Sequence, residues 1–253
     1  MSGEDSPSRA WRISVVIPVL DEATQIGERL RELAPFAFHE VIVVDGGSID
    51  ETRAIVRRFP GVVLVEAASG RARQMNEGAR RATGDVLLFL HADVSLPTEA
   101  ASHMRRTLAQ PGTAAGAFRT WTVADGAGPR PWWSPFLHLA DLRSRYSQIP
   151  YGDQALFLRR EVFQSAGGFP EIPLMEDLAF SRNLRSLGAV RTIPFRVVVS
   201  GRRFIERPLY YALLINLFPL LFRLGVPASA LAVWYGHARG RARRTSASAP
   251  GES

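Results

Sequence analysis

Three carboxylates in the N-terminal half, Glu22, Asp45 and Asp93, each stand just after a short apolar run. The last of these runs is GDVLLFLHAD at 84–93, in which Val86 to Leu90 are unbroken apolar residues. Such a run is too short for an isolated helix. Bounded by Gly and Asp, it reads as a strand buried on both faces. In open α/β sheets, ligands sit outside the carboxyl ends of the strands. A hard carboxylate in that place suits Mg²⁺ or Mn²⁺ carrying a phosphorylated ligand, although a lone Asp there can equally cap the following turn. Three acids around one sheet edge favour a nucleotide-plus-metal site. Gly46-Gly47 beside Asp45 lets backbone come close to a ligand. A second acidic feature, Glu176-Asp177, follows Pro173; by position alone it suits a helix N-terminus through the dipole. Arg202 and Arg203, after Ser200-Gly201, suit bidentate phosphate contacts or are plain surface charge.

These residues need elements to hold them. Ile13 to Val19, Val41 to Val44 and Val62 to Val65 read as strands. Asp21 is expected to cap a helix carrying Ile26, Leu30 and Leu33 on one face. Ser48 and Glu51 form a capping-box pattern for a helix through Ile55 and Val56. Arg71 to Ala82 reads as a helix with Met75 and Ala79 inward, ahead of the strand at 86–90. Strands alternating with helices at this spacing mean βαβ units and a mainly parallel α/β sheet flanked by helices. Further on, Glu99 to Leu108 reads as a helix and Ala114 to Val123 as a strand. Asp125 to Pro135 is a Gly- and Pro-rich loop. Phe136 to Tyr146 is an expected helix and Ala155 to Leu158 a short strand. Trp121, Trp132 and Trp133 are either an acceptor wall or packing beneath that loop. A helix is expected from the Glu176 region through Leu184, with Gly188 closing it.

Composition narrows the function. The chain has 253 residues, an ordinary apolar fraction of 46% and a net charge of +7, and all of its basic residues are Arg. With no Cys, disulfides and thiolate metal sites are excluded. No G-x-G-x-x-G follows the first strand, which argues against a dinucleotide site, and no G-x-x-x-x-G-K-[ST] loop exists. Nucleic acid is not an expected partner, because no RNA-module signature or aromatic–basic interleaving is present. The first eleven residues contain Glu4 and Asp5 and lack the apolar core of a signal peptide.

PVLDE at 18–22, VVDGGSID at 43–50, GRARQMNEGARRATGDVLLFLHAD at 70–93 and MED at 175–177 together resemble the inverting GT-A glycosyltransferases of family 2 type. The resemblance runs from about Arg12 to Arg203. HAD at 91–93, GRARQMN at 70–76 and YGDQALF at 151–157 are similar to a narrower bacterial group, the radical-SAM/selenodomain-associated transferases. The resemblance implies a GT-A, Rossmann-like domain over 12–203. It implies a nucleotide-sugar donor, most often UDP-linked, and a divalent metal. Pro18, Leu20 and Glu22 would line the nucleoside pocket, and Asp45 would bond the base. Arg71, Arg73 and Asn76 would approach the nucleotide from their helix. Asp93 would hold the metal on the diphosphate. Asp177 would be the catalytic base with Glu176 supporting it, and Arg202 and Arg203 would meet the diphosphate. The sequence departs from the family at His91, where Asp is usual; His91 is left to bond ribose or sugar. The rival readings are a sugar-1-phosphate nucleotidyltransferase, whose G-x-G-x-R loop and Lys are missing, and a non-catalytic sugar-nucleotide-binding protein docked on membrane.

Leu209 to Phe222 is nearly all apolar, and Val226 to Tyr235 resumes after Arg223. Neither piece reaches the roughly 18 apolar residues of a spanning helix. The expectation is a helical extension at 204–238 that docks on the domain or lies at a membrane surface through 209–235, followed by a basic, disordered tail at 239–253. A cytoplasmic protein, at the inner face of the cell membrane, is the expected location. The acceptor is left as a hydroxyl or carboxyl, lipid-like in character, and the sequence assigns no oligomeric state.

Overall fold

The computed structural model describes residues 11–123, 141, 150, 152–201 and 217–235. Eight strands among them form one mixed sheet: β1 (Ile13–Val19), β2 (Glu40–Asp45), β3 (Val62–Glu66), β4 (Val86–Phe89), β5 (Val94–Ser95), β6 (Thr113–Val123), β7 (Phe157–Arg159) and β8 (Ala189–Ser200). Their spatial order is β3-β2-β1-β4-β7-β6-β8-β5. The first half, β3-β2-β1-β4, is parallel throughout. β7 then runs antiparallel to β4 and β6, while β8 runs parallel to β6. The helices are α1 (Ala23–Leu33), α2 (Thr52–Val56), α3 (Arg71–Arg81), α4 (Ala100–Leu108), α5 (Arg160–Ser165) and α6 (Glu176–Leu187).

The β-branched run of β1 makes it a central strand, buried at every position. Val15, Ile17 and Val19 face one core with Ile26 and Leu30 of α1. Val16 faces the other, with Val44 of β2 and Met75 and Ala79 of α3. Burial on both faces is what a parallel strand between helical layers requires. Gly78 lets α3 lie close on the sheet: a Cβ there would stand 2.3 Å from Val16 Cγ1. Phe169 packs on Phe89 of β4 with ring centroids 4.8 Å apart and on Phe180 of α6 at 4.2 Å, so α6 is seated against the sheet.

Two expected caps are not formed. Asp21 does not cap α1; it takes φ +54, and its Oδ1 accepts from Ile49 N at 2.9 Å. Asp50 takes the capping place instead, accepting from Ala23 N at 3.1 Å. Ser48 does not cap α2, because its hydroxyl donates to Asp45 and accepts from Asp21 N. Both side chains tie the loop after β1 to the loop after β2. A long-range pairing of two loops has displaced the local capping motif.

The short strand near 157 runs Phe157–Arg159 rather than beginning at Ala155, which has φ +49. Gly188 closes α6, as its position suggests. The Gly-rich loop at 125–135, Trp132, Trp133 and most of the helix expected at 136–146 lie outside the described residues. So do Arg202, Arg203, residues 204–216 and the tail. Among the described residues no helix is long and apolar enough to cross a membrane. Residues 217–223 and 228–235 are helical and form a hairpin.

Candidate active site

β2, β1 and β4 lie side by side and parallel, so the loops that follow them open at one sheet edge. Asp45 closes β2 and is 1% exposed. Its carboxylate accepts from Gly47 N at 3.1 Å, Ser48 N at 3.1 Å and the Ser48 hydroxyl, and Arg53 Nε lies 3.8 Å away. Gly47 takes φ +95, a conformation that favours glycine. Gln74 of α3 joins the ends of β1 and β2: its Nε2 donates to Val19 O at 2.7 Å and Val44 O at 2.9 Å. Any Cβ at Gly46 would meet that amide at 2.9 Å. Pro18 is buried in β1, whereas Leu20, just past its end, is 44% exposed. Glu22 begins α1, with its backbone N donating to Thr52 Oγ1 at 2.8 Å.

The turn His91-Ala92-Asp93 is braced from two sides. Buried Arg29 of α1 donates to Ala92 O at 3.2 Å and to Ser95 Oγ at 2.7 Å. On the other side Ser200 N, at the end of β8, donates to Asp93 O at 3.0 Å. Asp93 itself is 8% exposed. A buried anion held so firmly at a strand end is a costly arrangement without a cation nearby.

Part of that charge is answered by Arg71, the first residue of α3, which feels the fields of Glu176, Asp177, Tyr235 and Asp93. Arg71 Nη1 lies 3.3 Å from Glu176 Oε1 and 3.6 Å from Asp177 Oδ2. Both acids stand in the first turn of α6, where the helix dipole favours negative charge. Gly152 is wedged beside them. A Cβ there would stand 2.3 Å from Asp177 Oδ2 and 2.6 Å from His91 Nε2, so His91 and Asp177 flank the same glycine. Burial pushes the Asp177 carboxyl up, from an ordinary 3.8 to about 7. Glu176 and Asp153 push the same way, while Arg71 and the Gly152 N–H oppose them. Burial works against the charged form of Arg71, but the carboxylates of Glu176, Asp177 and Asp93 outweigh it, so Arg71 holds its proton far above the ordinary range.

The structure therefore brings together Arg71, His91, Asp93, Glu176 and Asp177. It gives other expected residues different company. Arg73 is half exposed and pairs with Glu171 at 2.9 Å. Asn76 donates to Phe169 O and accepts from Phe169 N, both at 2.8 Å, so its amide anchors the turn that leads to α6. Trp121 is exposed on β6 under the Arg196 guanidinium, 4.4 Å from its ring centroid. Gln74, Gly152 and Met175 lie inside the quoted motifs, but sequence reasoning gave none of them a role, because each acts through a partner distant in the chain. Met175 precedes Glu176 with φ +68, a strained value for a residue with a long side chain.

Among the described residues no three His, Asp or Glu side chains gather as a metal cluster. Asp93 offers one buried carboxylate. That fits a cation that keeps waters and shares its coordination with a diphosphate, as Mg²⁺ and its relatives do, and not a resident structural metal.

Residues 14–167 match the family model described as glycosyl transferase family 2. The chain belongs to that family. Glycosyltransferase AglE of Haloferax volcanii is 27% identical over 169 residues, covering 62% of this chain and 56% of that protein. The undecaprenyl-phosphate 4-deoxy-4-formamido-L-arabinose transferase of Sodalis glossinidius is 28% identical over 126 residues, 45% of this chain and 39% of that protein. The chain thus spans about half, or less, of the length of these curated relatives. Among solved structures, the mannosyltransferase PcManGT from Pyrobaculum calidifontis, in complex with GDP-Man and Mn²⁺, aligns with a TM-score of 0.61 at 22% identity, covering 97% of this chain and 78% of that one. S. aureus TarS 1–349 in complex with UDP-GlcNAc aligns with a TM-score of 0.59 at 20% identity, covering 76% and 59%. These likenesses establish a GT-A-like mixed α/β fold for this family 2 chain.

Proposed function

We propose that this family 2 chain is an inverting glycosyltransferase that moves a sugar from a nucleoside diphosphate to an acceptor hydroxyl. The observation that carries the reading is one largely enclosed carboxylate, Asp177, 13% exposed at its side chain, raised to about 7 and set across Gly152 from His91 at the end of β4. A group poised near neutral pH is suited to take a proton in the transition state. In this reading the acceptor O–H proton passes to Asp177 and the oxygen attacks the anomeric carbon. The bond to the diphosphate breaks on the opposite face, so the configuration inverts. Glu176 keeps Arg71 in place. An ionised carboxyl acceptor would need no base, so the site favours a hydroxyl.

On the donor side, Pro18, Leu20 and Glu22 line the nucleoside pocket, Asp45 takes the base, and His91 bonds ribose or sugar. Asp93 would hold a divalent cation, which when bound neutralises charge on the leaving diphosphate. Arg202 and Arg203, next in chain after β8, add to that neutralisation. The structural neighbours in complex with UDP-GlcNAc, or with GDP-Man and Mn²⁺, support a nucleotide-sugar donor and a metal. A UDP-sugar is the expected donor, with a lipid-like acceptor at the inner face of the cell membrane; the relative named for undecaprenyl phosphate supports that choice. The narrower radical-SAM/selenodomain-associated group, resembled through residues 70–76, 91–93 and 151–157, is the bacterial setting we assign.

The test is hydrolysis of a panel of UDP- and GDP-sugars by the purified protein, with and without Mn²⁺. One donor should be cleaved slowly and faster with metal. Failure of every nucleotide sugar to bind, with or without metal, would contradict the reading.

A further inference from the structure

The hairpin at 217–235 has two apolar faces with different surroundings. Its corner is a Schellman turn: Gly225 takes φ +94, Gly225 N donates to Phe222 O at 3.1 Å, and Val226 N donates to Leu221 O at 3.0 Å. Pro227 then starts the second helix, with Ala230 N and Leu231 N donating to its carbonyl. The inner face carries Phe218 and Leu231, 3% and 0% exposed. Leu174 and Met175 pack against them, together with Leu221, Phe222, Val226 and Tyr235. Arg182 of α6 lies over the Phe222 ring at 5.7 Å. The inner face therefore holds the left-handed Met175, the residue that aims Glu176 and Asp177, and Tyr235 comes within the field of Arg71.

Among the described residues the outer face has no such cover: Leu220, Leu224 and Trp234 are 52%, 73% and 51% exposed. Leu and Trp on the exposed side of a helix pair, followed in sequence by positive charge, is the pattern of an interfacial element. The charge follows directly in sequence: Arg239, Arg241, Arg243 and Arg244, with no acid between Tyr235 and Arg244. A chain of net charge +7 with its basic run at this end is complementary to an anionic bilayer.

We propose that the hairpin is a two-faced clamp: its outer face rests on an anionic lipid surface while its inner face fixes the turn that carries the acid pair. The clamp sets Asp177 close to the bilayer, so that the acceptor is an amphiphile whose hydroxyl stands at the lipid surface; this last step rests on the glycosyltransferase reading, and the docking does not.

Flotation of the full chain with vesicles of phosphatidylcholine and phosphatidylglycerol tests the clamp. The protein should float with the anionic vesicles, less as salt is raised, and Trp234 emission should shift to the blue. The double variant Leu224→Glu, Trp234→Glu, altered only at exposed positions, should float at least about tenfold less. Nucleotide-sugar binding is measured on both preparations without vesicles and should be equal, which separates a failed clamp from a failed enzyme. Wild-type protein that stays off the anionic vesicles overturns the proposal. So does a double variant that floats as well as the wild type, because the outer face would then not be the seat.

Discussion

Asp177 feels opposing influences: burial and two neighbouring carboxylates raise its pKa, and Arg71 with one backbone N–H lowers it. Its ionisation is thus unfavourable in the folded chain. Because the folded value lies above the unfolded one, stability falls as pH rises from about 4 to about 7 and is level above that. Asp177→Asn should remove this slope, which urea unfolding across that pH range will show. The free-enzyme rate, kcat/KM, should rise with pH through about 7. In Arg71→Gln that midpoint should move up by about one pH unit, since an adjacent cation has been lost; an unmoved midpoint would mean that Arg71 does not act on the base. Asp93→Ala should abolish the part of nucleotide diphosphate affinity that depends on Mn²⁺, read by calorimetry. The acids were legible because each follows an apolar run or a proline. That Arg71 of one helix faces Glu176 and Asp177 of another was not, because nothing near Arg71 in sequence encodes a partner on α6.

At the scale of elements, the site depends on how tightly the loops are seated. Gly152→Ala would force a Cβ to within 2.3 Å of Asp177 Oδ2, and the resulting displacement should lower transfer by about 10²-fold while the fold survives. Met175 gives a sharper check. At φ +68 an L side chain is strained, so Met175→Gly should be more stable than Met175→Ala by about 1 kcal/mol, the reverse of the usual order in a helix. Equal stabilities in chemical denaturation would show that the strain is absent. The parallel strands were legible from their β-branched runs, and α3 from the spacing of Met75 and Ala79. The caps of α1 and α2 were misjudged. Asp21 and Ser48 fit local motifs, but the contact between the loops after β1 and β2 offered both side chains better partners.

The whole molecule separates two tasks. In the proposed reading the edge of β2, β1 and β4 serves the donor through Glu22, Asp45 and Asp93, whereas α6, held by Asn76 from behind and the hairpin in front, presents Asp177 as the base. The first task was visible in sequence as alternating strands and helices. The second was visible only as an acid pair and an apolar segment, because the hairpin's contact with Met175 spans two parts of the chain that share no local pattern. This division gives the central claim its most direct test: sugar transfer and donor affinity measured on one preparation of Asp177→Asn. Asn keeps the shape but cannot take a proton at neutral pH. Transfer should fall by about 10²–10⁴ while donor affinity changes little. Near-normal turnover would contradict the account, and an equal loss of binding and turnover would move Asp177 into the donor site.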